Sequence, residues 1–114
     1  MEENKPKPAG LQMQHVNKMK ILDWARKICL HEQWGQVAQI ILGPSFSKDA
    51  INNKYNAHPL TNNELCHKMM EDLAEAGVYV NQLVWALRRL EIPVLASLFE
   101  EEAGQAYLGA ITLV

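Results

Sequence analysis

The sequence predicts an all-α domain, on three observations. Apolar residues recur at three- and four-residue intervals in successive windows from Val16 to Phe99. Gly, Pro and Asn breaks separate those windows, and none of them alternates in the manner of a strand. The chain has 114 residues, 48% hydrophobic and 21% charged, which is material for one globular core. A formal net charge of −2 supplies no overall basic field for phosphate backbones or anionic lipid. No run approaches the roughly 18 consecutive apolar residues of a membrane span. The polar opening Met1-Glu2-Glu3-Asn4-Lys5-Pro6-Lys7-Pro8 lacks the apolar segment of a secretory signal. A cytoplasmic location without membrane insertion is the expectation. Cys29 and Cys66 each fall on the apolar side of a helical window, where a free thiol behaves as a small buried hydrophobe.

Residues 1–14, with Pro6, Pro8 and Gly10, read as a flexible lead-in, because their composition buries too little apolar surface to offset ordering entropy. A first helix spans about Val16 to His31. Ile21, Leu22, Ala25, Ile28 and Cys29 share its inner stripe, and Lys20, Asp23 and Lys27 lie opposite. A second helix runs from Trp34 to Leu42, with Trp34, Ala38 and Ile41 inward and Ile40 an exposed apolar residue, before Gly43-Pro44 stops it. Ser47 is the N-cap of a short third helix that places Ala50 and Ile51 inward and ends in the Asn52–Asn56 region.

The fourth helix opens on Thr61-Asn62-Asn63-Glu64, a capping box in which hydroxyl and carboxylate satisfy orphan backbone donors reciprocally, and Gly77 closes it. Its stripe is Leu65, Cys66, Met69, Leu73 and Ala76, and its outer row, with Glu64, Glu71 and Glu75, is mostly acidic. The fifth helix, near Val80 to Glu91, buries Leu83, Val84, Leu87 and Leu90. Trp85 lies nearly opposite that stripe, as a second core face or an interface anchor, with Arg89 four residues on and able to cover its ring. Trp24 and Trp34 belong to the core. A sixth helix starts with Pro93 at its first position and runs through Leu95, Leu98 and Phe99. Six short helices on short connections, without a repeat of 20 to 50 residues, make a compact bundle over residues 15–102. Residues 103–114 form an apolar tail.

The order of Trp34-Gly35-Gln36-Val37-Ala38, the Asn62-Asn63-Glu64-Leu65 helix start, Gly77, Leu83-Val84-Trp85-Ala86-Leu87-Arg88-Arg89-Leu90 and Leu95-Ala96 resembles a death domain over roughly residues 18–100. The relatives it resembles are the domains of innate-immune adaptors, Pelle-type kinases and the paracaspase, with the caspase-recruitment fold as an alternative. The Asn-rich path from Pro44 to Pro59 and the apolar tail depart from the pattern. The resemblance implies a six-helix antiparallel Greek-key bundle with no catalytic activity and no cofactor. It further implies homotypic or heterotypic assembly with other death-domain proteins in apoptotic or innate-immune signalling. By position, Glu71, Asp72 and Glu75 would supply an acidic contact, and Lys20, Arg26 and Lys27, or Arg88 and Arg89, a basic one.

Other chemistries find less support in the residues. Cys29-x-His31 with Cys66-His67 offers zinc donors, but neither half has the usual ligand spacing, so no metal is expected. No phosphate loop, nucleophile elbow or apolar-walled carboxylate pair points to an enzyme. A helix-turn-helix reading through Lys48 to Tyr55, or a helical scaffold, is the competing class, but two lysines and one aspartate are poor in phosphate contacts. The ending Thr112-Leu113-Val114 resembles a PDZ-domain ligand, with Thr112 and Val114 as its recognition residues.

Overall fold

The computed structural model describes residues 5–55 and 60–112, with side chains of the last helix described through Gln105. Among these the protein is all-helical. It has six α-helices: α1 Lys18–Cys29, α2 Val37–Leu42, α3 Lys48–Lys54, α4 Asn62–Glu75, α5 Val80–Arg89 and α6 Pro93–Thr112. Single 3-10 turns at Met13–His15, Glu32–Gln36 and Pro44–Phe46 lie before α1, α2 and α3.

Local chemistry explains most of the boundaries. Asn17 Oδ1 accepts from the Met19 amide at 2.8 Å and starts α1, and Ser47 Oγ accepts from the Ala50 amide at 3.2 Å and starts α3. The capping box of α4 forms as expected: Thr61 Oγ1 accepts from the Glu64 amide, and Glu64 Oε1 accepts from the Thr61 amide, each at 3.2 Å. At its far end the Val78 amide donates to the Leu73 carbonyl and the Gly77 amide to the Ala74 carbonyl, both at 3.1 Å, with Gly77 at φ 81°. That is a Schellman ending, and it requires the left-handed backbone that glycine adopts without steric cost. The same pattern closes α5 through Ile92 and Leu87, but there the left-handed position is Glu91, at φ 62°.

Two antiparallel pairs organise the core. α1 packs on α4: Cys66, near the start of α4, donates to the Ala25 carbonyl, and Ala74 and Glu75, at its end, share a hollow with Lys18 and Met19. α5 packs on α6, with Val80 beside Ala103 and Arg88 paired to Glu100. α2 rests on α5 and α3 on α4. Trp24 joins the pairs by stacking on Phe99, with centroids 4.5 Å apart and planes 13° from parallel. Trp34 is buried as expected, and Gly35 beside it lets the chain approach α3, since a Cβ there would lie 2.7 Å from Lys48 Cβ.

Several expectations need correction, among them Ala76, which is exposed at the end of α4 and not on its inner stripe. Residues 5–14 are not a loose lead-in: Met13 is fully buried, and the strand-like bridge Gln12–Tyr79 ties the segment down. The Met13 amide donates to the Val78 carbonyl and the Val80 amide to the Leu11 carbonyl, both at 2.9 Å, so a segment 65 residues away satisfies this backbone. α2 begins at Val37, and Trp34 belongs to the 3-10 turn before it. Ile40 is half-buried, because α5 and the Pro44–Phe46 turn both cover α2. Finally, α6 does not give way to a separate tail after residue 102. It continues to Thr112 through the boundary drawn at residue 102, since neither proline nor a left-handed glycine interrupts it.

Candidate functional site

A hollow of about 450 Å³ lies between the first two turns of α1 and α4 from His67 to Glu75. Met13, Val16, Ile21, Leu22 and Ala74 supply its apolar wall, and Met19 stands over it 73% exposed. Gln14, Lys18, His67, Glu71 and Glu75 supply the polar rim. Helix phase explains the layout: the buried stripe of α1 turns Met19 outward, and α4 presents His67, Glu71, Ala74 and Glu75 on one side of its Leu73 stripe.

Charge along this rim is uneven. Glu71 lies 3.8 Å from both His67 Nδ1 and Lys68 Nζ, beyond hydrogen-bond reach. Glu75 occupies the last turn of α4, which holds no basic residue, so its carboxylate sits at the negative end of the helix dipole. A cation brought here is favoured by both terms. The hollow is therefore an apolar seat whose rim carries Glu71 and Glu75 together with Lys18, with Lys68 3.8 Å from Glu71.

The structure sorts the expected interface residues. Glu71, Glu75 and Arg26 are exposed. Asp72 is 5% exposed and is no interface acid: it accepts from Tyr55 Oη at 3.0 Å and pairs with Lys54 Nζ at 3.3 Å, clamping α3 to α4. Tyr55 and Asp72 hold the Lys54 ammonium above its usual range, and burial, then the Asp72 bond, raises the Tyr55 hydroxyl. Lys20 pairs with Glu102 at 3.4 Å, Lys27 with Asp23 at 2.9 Å, and Arg88 with Glu100 at 3.5 Å. The hydrogen bond between Lys27 and Asp23 moves both groups toward their charged forms. Arg89 lies over the Trp85 ring at 5.5 Å, as its spacing predicted. Trp85 itself is half-buried, and its Nε1 is shielded from solvent without a hydrogen-bond partner among the described residues.

The residues behind the other readings are engaged elsewhere. Cys66 is fully buried, its Sγ donating to the Ala25 carbonyl at 3.2 Å, and burial, then nearby Cys29, pushes the thiol up to about 12. His67 lines the hollow instead. Among the described residues no group of three or more His, Cys, Asp or Glu is placed to hold a metal ion. Lys48 covers Trp34 at 5.1 Å and Lys54 serves Asp72, so both lysines of the candidate reading helix have internal partners. Thr112 is helical, whereas strand addition needs extended backbone, and Val114 lies outside the described residues. Among the described residues no helix is long and apolar enough to cross a membrane.

Sequence reasoning missed the hollow, Met19 and the 85%-exposed Leu30. The signal was present, since both fall off the inner stripe of α1. No family model, curated protein or solved structure matches the chain. What the fold and the site define is an all-helical bundle with an open apolar hollow beside two exposed carboxylates, Glu71 and Glu75.

Proposed function

We propose that this chain is a non-catalytic interaction module of the death-fold type, its six helices closing in an antiparallel Greek key. It assembles signalling complexes by docking on kindred bundles, its own copies or related ones. The observation that carries this reading is the α1–α4 hollow, an apolar seat with Met19 exposed above it and Glu71 and Glu75 at its edge. Such a seat suits a protein side chain better than a small polar substrate, because its walls are aliphatic and its face is open to solvent. The helix order, the capping box of α4, Gly77 and the leucines of α5 support the family reading. The two free thiols suit a reducing, cytoplasmic setting.

The test is light scattering during chromatography, at low and high salt, on the native chain and on Glu71→Lys with Glu75→Lys. Native mass above the monomer at low salt, reduced by salt and by the double substitution with helicity retained, supports the module. Association untouched by charge reversal counts against this seat. Duplex DNA binding with a steep salt slope would move the chain to the nucleic-acid class.

A further inference from the structure

The outer face of α1 carries a second pattern, of which the bundle uses Asp23 in a pair with Lys27 and leaves the apolar ends exposed. Met19, Asp23, Arg26 and Leu30 are spaced by four, three and four residues, so at about 100° per residue they form one narrow stripe. Met19 and Leu30 are 73% and 85% exposed, Arg26 is exposed, and the Asp23 side chain is 46% exposed. The stripe therefore has apolar ends and a centre of opposite signs, in which Asp23 also pairs with Lys27 of its own helix at 2.9 Å, and among the described residues no helix of its own bundle lies over it.

That order is self-complementary in one orientation only. Laid antiparallel on itself, the stripe sets Met19 against Leu30 and Asp23 against Arg26, and the twofold axis repeats both contacts. Laid parallel, it sets Asp23 on Asp23 and Arg26 on Arg26, which like-charge repulsion rejects. We infer that a second copy of this chain docks here, its α1 running antiparallel to the first in a closed twofold pair. The partner's Leu30 then lies beside Met19 at the mouth of the hollow. One helix pair is a small interface, of the transient class below about 1,200 Å². This pairing rests on the assembly reading above and gives it a specific face and a specific stoichiometry.

Sedimentation velocity across a concentration series tests it, with circular dichroism confirming that each variant stays helical. The native mass should rise with concentration and level at two copies. Leu30→Glu and Met19→Glu should each weaken the pair by at least about tenfold, the loss of one buried anchor. Arg26→Asp alone should weaken it, and adding Asp23→Arg in the same chain should restore it in part, because the charge pair across the twofold is exchanged while the Asp23–Lys27 pair within the helix is given up. Assembly beyond two copies, indifference to Leu30→Glu, or failure of the charge swap to restore pairing overturns the α1 pair while leaving assembly through another face standing. A native chain that stays monomeric up to millimolar concentration overturns the pair together with self-assembly.

Discussion

Trp24 and Glu102, 78 positions apart, are joined by a 2.6 Å hydrogen bond from indole Nε1 to carboxylate Oε2. The Trp24 ring is fully buried against Phe99, so one side chain ties α1 to α6 through both its apolar body and its polar edge. Trp24→Phe keeps a ring but loses the donor and some volume, and should cost about 2–3 kcal/mol in urea unfolding. Glu102→Gln keeps an acceptor and gives up the half-exposed Lys20 pair, and should cost under about 1 kcal/mol.

The two Schellman endings make opposite predictions. Glu91 adopts a left-handed backbone that costs a side-chain-bearing residue about 1–2 kcal/mol. Glu91→Gly should therefore raise the thermal midpoint by a few degrees, about 4 °C per kcal/mol for a chain of this size. Gly77→Ala should lower it by a similar amount, although nothing lies within 4 Å of the added carbon, because the cost is conformational.

Asp72 holds α3 in place, and the clamp should be visible as local stability. Asp72→Asn weakens the bonds from Lys54 and Tyr55, while Met69 and Leu73 keep α4 in the core. Hydrogen exchange over Lys48–Lys54 should quicken about tenfold, with α1 and α5 protected as before. Uniform acceleration in all helices would instead assign Asp72 to global stability.

Cys66 gives a pH dependence of fixed sign. Burial raises its thiol from the usual 9.0 to about 12, so the folded chain keeps a proton that the unfolded chain releases. The associated stability is whole below about pH 9 and is lost as pH climbs toward about 12, at up to about 1.4 kcal/mol per pH unit. Cys66→Ala should lower the urea midpoint at neutral pH but flatten its alkaline decline. Some decline remains, since Lys54 and Tyr55 are raised in the same direction.

Features written within a few residues were legible. Thr61 with Glu64, Gly77 at the end of α4, Ser47 ahead of α3 and Arg89 above Trp85 all depend on neighbours no more than a turn or so away. Features set by distant partners were not. Met13 is buried by a bridge to Val78–Val80, and Asp72 changes from surface acid to clamp only because α3 delivers Lys54 and Tyr55 to it. The candidate site was half legible. Glu71, Glu75 and Arg26 were expected at the surface from helix phase alone. Met19 and Leu30 went unread because the eye follows the buried stripe of α1, whereas the outer stripe becomes visible only once the packing leaves it uncovered.

The central claim is that this bundle recognises kindred bundles through the α1 face and the adjoining α4 rim. Amide NMR spectra of the labelled native chain, recorded from dilute to millimolar concentration at low salt, address it most directly. The account predicts progressive shifts concentrated at residues 18–30 and 71–75, reversed by added salt. A spectrum unchanged over that range, or shifts confined to α2 and α3, would contradict it.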